Sequence, residues 1–199
     1  MVFIFFFSLF TVCYNDVAIA FVVDSSSAVG ASGYLKIKEF IKTITPYFNV
    51  GQTQLALIDF TNTATVSIPF QRNDVSQSRD FTSLLDDIEF RGGDNDVARI
   101  SEGLELANIE LRNADSGSKH VILITSSDVE GSEKSTLLSV KRKIEQSGVN
   151  LIVLGVGDSV NTSTLTELST NGQIYRPFNF DDLIGSVQLL RKNVCNKKA

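Results

Sequence analysis

The stretch Val17–Gly30, VAIAFVVDSSSAVG, runs seven apolar residues straight into Asp24 and three consecutive serines. An apolar run of Val, Ile, Ala and Phe with no polar alternation is the pattern of a strand buried on both faces, as in a parallel sheet covered by helices on each side. Asp24 and Ser26 then fall at the carboxyl end of that strand. In open α/β sheets this is where loops converge and ligands bind.

Working outward, further strand-like runs appear at TQLALIDF (53–60), TATVSIPF (63–70), HVILITS (120–126) and NLIVLGVG (150–157). Between most of them lie apolar stripes at helical spacing: Ile37, Phe40, Ile41 and Ile44; Val97, Ile100, Leu104, Ala107 and Leu111; Leu137, Val140 and Ile144; Leu183, Ile184, Val187 and Leu190. The second stripe predicts a helix starting near Asp96. Asp181 and Asp182 open the last helix, and Arg191 and Lys192 close it, in the sense that complements its dipole. The first two of these further runs, joined through Asn62, read as a hairpin. The expected fold is therefore α/β: a doubly wound, mostly parallel open sheet with one antiparallel edge strand and helices on both faces.

With 199 residues, 43% hydrophobic and 21% charged, the chain suits one globular domain. The net charge of −5 and the shortness of the basic clusters argue against a nucleic-acid partner. Residues 1–12, MVFIFFFSLFTV, are too few to span a bilayer and match a secretory h-region, although no basic residue precedes them and no A-x-A-like site follows. No transmembrane segment is expected. Cys13 and Cys195 are the two cysteines and stand at the borders of the domain, 13–195, with a short tail at 196–199. In an oxidising compartment they would form a clasp that stabilises by about 4 to 5 kcal/mol in the chain-entropy model; in a reducing one they would be two thiols.

Two more loops should reach the edge that holds Asp24: RGGDNDVA (91–98) and TSSDVEGS (125–132). They bring Asp94, Asn95, Asp96, Ser126 and Asp128, an oxygen-rich set of the kind hard divalent cations use. The ordered set VAIAFVVDSSSAV, TQLALIDFTNTATVSIPF, FRGGDNDVARISEGLELA, KHVILITSSD and GVNLIVLGVGD resembles the von Willebrand factor type A (vWA) domain family over nearly the whole chain, Cys13 to Cys195. The flanking cysteines also look like those of its extracellular members. The resemblance implies a metal-ion-dependent adhesion site (MIDAS) built from Asp-x-Ser-x-Ser, a threonine and an aspartate. Carried over, Asp24 and Ser26 match; Ala28 replaces the second serine, Asn95 the threonine and Ser126 the aspartate. Such a degenerate site implies weak or absent binding of Mg²⁺ or Ca²⁺, with Asp94, Asp96 and Asp128 as substitute carboxylates. Asp24 has another reading, as an acceptor for loop N–H groups.

The resemblance implies a secreted, extracellular protein-interaction module of the adhesion or matrix type that binds a protein ligand. A metal-independent structural domain of a larger extracellular protein is the alternative. An enzyme, for example one that binds a nucleotide, is disfavoured: neither a G-x-x-x-x-G-K-[ST] nor a G-x-G-x-x-G loop occurs, and a single histidine, His120, leaves no material for a catalytic triad or zinc site. Asn161-Thr162-Ser163 is a glycosylation sequon if the chain is secreted.

Overall fold

A computed structural model of the chain describes residues 16–48, 53–70, 81–93 and 96–195. Residues 1–12, expected as a signal segment, Cys13, Asp94, Asn95 and the tail 196–199 lie outside the described residues. Among the described residues six strands are present: β1 (Val17–Asp24), β2 (Thr53–Phe60), β3 (Ala64–Ile68), β4 (Ser118–Thr125), β5 (Asn150–Gly155) and β6 (Ile174–Tyr175). They form one sheet in the order β3-β2-β1-β4-β5-β6, in which only β3 runs antiparallel. The helices are α1 (Gly30–Ile44), α2 (Phe81–Asp86), α3 (Ile100–Arg112), α4 (Lys134–Gln146), α5 (Thr162–Leu168) and α6 (Val187–Cys195). No helix among the described residues is long and apolar enough to cross a membrane.

β1 sits at the centre, fully buried, and its two faces differ in size. Val17, Ile19, Phe21 and Val23 face the layer that contains α1, α2 and α6. Ala18, Ala20 and Val22 face the layer of α3, α4 and α5. The small residues on that second face let α3 come close. A Cβ on Gly103 of α3 would lie 2.8 Å from Phe60 and 2.9 Å from Val22, so the helix seats directly on β1 and β2 only because residue 103 has no side chain.

Two expectations need correction. The helix expected to start near Asp96 starts at Ile100, because the preceding segment is bound to the β2–β3 turn: Val97 N–H donates to Asn62 Oδ1 at 2.7 Å and Arg99 N–H to Thr61 O at 2.8 Å. Val97 is accordingly exposed rather than part of the apolar stripe. The last helix is split: Asp181–Ser186 is 3₁₀, with Ile184 exposed, and the α-helical part begins at Val187. The hairpin and the four long strands match the sequence reading within a few residues.

A hydroxyl-clamped carboxylate at the sheet edge

β1 and β4 are parallel neighbours with Val23 paired to Ile124, so their ends place Asp24 beside Thr125. The Asp24 side chain does not point to solvent; the residue is 0% exposed. Its Oδ1 accepts the Ser26 N–H at 2.9 Å, and its Oδ2 accepts the hydroxyls of Thr125 and Ser127, both at 2.7 Å. Thr125 Oγ1 in turn accepts the Ser127 N–H at 3.0 Å, and the Ser26 and Ser127 hydroxyls lie 3.4 Å apart. A buried carboxylate costs free energy unless its oxygens are hydrogen-bonded, and here both are. The same Ser26 supplies the carbonyl that accepts the N–H groups of Val29 and Gly30 and so starts α1.

The glycine loop reaches this edge as expected. Arg91 N–H donates to Ser25 Oγ at 3.1 Å, and a Cβ on Gly92 would lie 2.6 Å from the Ser25 carbonyl oxygen, so the backbone of one loop rests on the other. The loop after β4 is tied to α3 by Glu133, whose Oε1 accepts the Ser101 N–H at 2.7 Å. Three separated segments thus meet on one rim.

The individual candidate residues fare differently. Ser126 is buried and its hydroxyl has no partner among the described residues. Asp128 is exposed, with Oδ1 bonded to the neighbouring Val129 N–H. Asp96 turns back to Gly93 N–H and to the Asn62 amide, where it holds the loop together. Ala28 is exposed and lines an open pocket of about 590 Å³ together with Asp128, Phe178 and Phe180. Phe178 is 72% exposed. Among the described residues no group of three or more His, Cys, Asp or Glu side chains is placed to hold a metal. The helix α5 is capped by Asn161, whose Oδ1 accepts the N–H groups of Ser163 and Thr164.

Sequence reasoning missed Thr125, Ser127 and Phe178. It also passed over Asp59, a fully buried carboxylate on β2 that accepts the Tyr34 hydroxyl at 2.5 Å. Burial pushes Asp59 above the usual carboxylate range, against the opposing pull of Ser67, Tyr34, Arg91 and Lys38. Burial, and then the Asp59 charge, likewise push Tyr34 up. Ser67 is close enough to favour the charged carboxylate, yet Asp59 Oδ2 completes no hydrogen bond. The signal in the sequence was an acid inside an otherwise apolar strand.

Comparison with known proteins agrees with this architecture. The family model described as von Willebrand factor type A domain matches residues 18–192. The chicken (Gallus gallus) collagen alpha-1(VI) chain is 25% identical over 189 residues, covering 89% of this chain and 17% of the collagen. The collagen alpha-1(XXI) chain of Xenopus laevis is 20% identical over 188 residues, covering 92% and 19% respectively. This chain therefore spans less than a fifth of the length of these relatives. Among solved structures, proximal thread matrix protein 1 of the mussel byssus, with its MIDAS motif occupied by zinc, superposes with a TM-score of 0.81 at 26% identity, covering 93% of this chain and 47% of that one. A von Willebrand factor type A protein from Catenulispora acidiphila, 16% identical, shares the fold at a TM-score of 0.76 over 93% of this chain and 44% of its own. Sheet order, the loops gathered at Asp24 and a family match over most of the chain lead to one conclusion: the chain belongs to the von Willebrand factor type A domain family.

Proposed function

We propose that this chain is a secreted, extracellular protein-interaction module of the adhesion or matrix type, which takes a protein ligand at the loops on the carboxyl edge of its sheet and does so with weak or absent divalent-metal binding. One observation carries this reading: the Asp24 carboxylate is already held by two hydroxyls and an N–H, at the side of an open pocket flanked by Phe178. Mg²⁺ wants about six oxygens in near-octahedral order and gives up its waters reluctantly. Asp24 and Ser26 with an amide at 95 do not fit that requirement, since Ala28 offers no side-chain oxygen and Ser126 no charge, Asp96 is bonded to Gly93 and Asn62, and Asp128 Oδ1 is taken by the Val129 N–H. The two relatives that are collagen chains, and the byssus matrix protein, support an extracellular setting.

In that setting Cys13 would pair with Cys195 across the domain, which runs from 13 to 195 after removal of a signal segment near 1–12. Cys195 packs against the core at the end of α6, and no cysteine among the described residues is free. Asn161 would carry an N-linked glycan. It is exposed and its Oδ1 is occupied by the helix cap, whereas none of its hydrogen bonds to the described residues uses the amide nitrogen.

A second reading, a metal-independent structural domain of a larger extracellular protein, is favoured by the small share of the collagen relatives that this chain spans. A nucleotide-binding enzyme has less support, because the pocket at the sheet edge is lined by no Lys, Arg or His. The test is surface binding to purified fibrillar collagen, fibronectin and laminin, in EDTA and in Mg²⁺. We expect binding that EDTA leaves intact and that Phe178→Ser removes; binding that needs Mg²⁺, or that survives both Phe178→Ser and Asp128→Lys, refutes the assignment to this edge.

A further inference from the structure

At the opposite edge of the sheet, where β4 and β5 begin, lies a cavity of about 580 Å³ lined by His120, Glu145, Asn150, Asn171, Gln173 and Asn193 among others. Three of its side chains, His120, Asn150 and Gln173, are linked to one another. The Asn150 Nδ2 donates to Gln173 Oε1 at 2.9 Å and approaches His120 Nδ1 at 3.4 Å, while His120 Nε2 meets the Ser118 hydroxyl at 3.0 Å. Asn193 donates to the Tyr175 hydroxyl.

The unused valences matter more. Among the described residues no partner takes up the Gln173 Nε2 hydrogens, the Asn150 Oδ1, the Asn193 Oδ1 or either end of the Asn171 amide. The cavity thus presents N–H donors and carbonyl acceptors side by side. Glu145 is the only acidic residue lining it among the described residues and is paired with Lys141 at 3.1 Å, and burial pulls His120 down to about 4, so the imidazole is neutral at physiological pH. An anion offers acceptors alone and would leave the carbonyls unmatched; an ammonium offers donors alone and would leave the N–H groups unmatched. A hydroxyl is donor and acceptor at once, and a row of hydroxyls matches a row of primary amides. The volume lies within the range of roughly 300 to 1,000 Å³ usual for small-ligand sites.

From this juxtaposition of free amide donors and acceptors at the amino edge of the sheet, in a cavity whose one carboxylate, Glu145, is paired with Lys141, we propose a binding site for a neutral, hydroxyl-rich ligand, a saccharide unit, held by Asn150, Asn171, Gln173 and Asn193. The site is separate from the edge that carries Asp24, and its failure would leave the reading of that edge untouched.

The experiment titrates the ¹⁵N-labelled chain with the methyl glycosides of glucose, galactose, mannose and N-acetylglucosamine, with glucuronate and glucosamine as charged comparisons, and follows the side-chain amide resonances. A neutral glycoside should shift Asn150 and Gln173 saturably with a Kd of about 1 mM, and the charged sugars should bind more weakly. Gln173→Leu should weaken binding about tenfold, the scale of one or two lost hydrogen bonds. Asn171→Gly, which keeps the left-handed backbone at that residue and breaks no internal hydrogen bond, should weaken it by a smaller factor and decides the matter if Gln173→Leu does not fold. No saturable shift with any neutral glycoside, tighter binding of a charged sugar, or binding indifferent to the folded variants overturns the proposal.

Discussion

Thr125→Val removes one hydroxyl and keeps the shape of the side chain, which isolates what holds Asp24. In the native chain Thr125 Oγ1 donates to Asp24 Oδ2 at 2.7 Å and accepts the Ser127 N–H at 3.0 Å. A hydrogen bond to a charged group contributes about 1.5 to 3 kcal/mol and a neutral one about 1 kcal/mol. Thr125 and Asp24 are each 0% exposed, so water cannot replace the partner that Asp24 loses, while the Ser127 N–H is part-buried and contributes only the smaller, neutral share. The expected loss is therefore about 2.5 to 4 kcal/mol. At about 2 to 4 °C per kcal/mol for a domain of this size, the midpoint should fall by roughly 5 to 15 °C. Urea unfolding followed by circular dichroism gives the free energy, and a thermal scan gives the midpoint, each in EDTA and in Mg²⁺. The clamp is refuted as the support of Asp24 if the variant loses less than about 1 kcal/mol, or if Mg²⁺ raises the midpoint of the unaltered chain.

Four further outcomes are expected. The triple variant Ala28→Ser, Asn95→Thr, Ser126→Asp supplies the oxygens and the charge that the motif lacks here, and calorimetry should show tighter Mg²⁺ binding than in the unaltered chain, with a thermal midpoint that Mg²⁺ raises. Gly103→Ala drives a methyl group against Phe60 and Val22 and should cost about 1 to 3 kcal/mol, read from the urea midpoint with the slope unchanged. His120 is held near 4 by burial against about 6.5 in the unfolded chain, so the unfolded state binds the extra proton between those values; stability should fall by about 3 kcal/mol as pH drops from 6.5 to 4, and His120→Gln should flatten that part of the curve. Intact mass of the secreted protein should show a chain that retains Cys13 and takes up two hydrogen atoms on reduction; two free thiols, or a chain that begins after Cys13, would remove the proposed clasp.

How much was legible follows from length and period. β1 and β5 announce themselves because they are apolar without interruption, a consequence of burial on both faces. α2 and β6, of six and two residues, are too short for any period to emerge. α5 follows an asparagine, Asn161, that stands in a sequon and also caps the helix, and a capping side chain is the local signal for a helix start. At the carboxyl edge, position-by-position carry-over directed attention to Ser126. The donors to Asp24 come instead from residues 125 and 127, on either side of it, since alternation along an extended chain sends alternate side chains the same way. Phe178 lies on a loop with no periodic pattern, so only the folded chain reveals how exposed it is.

The outer margin of β5 is blunted. β6 pairs with only two of its residues, the Leu151 N–H is met by the Thr170 hydroxyl, and Gly157 N–H by the Pro177 carbonyl. A strand whose amides are already occupied by side chains and loops gives a second copy little to zip onto. Crowded copies of this domain should therefore resist fusing through this margin of the sheet, which leaves the β3 edge as the side from which any sheet extension would have to start.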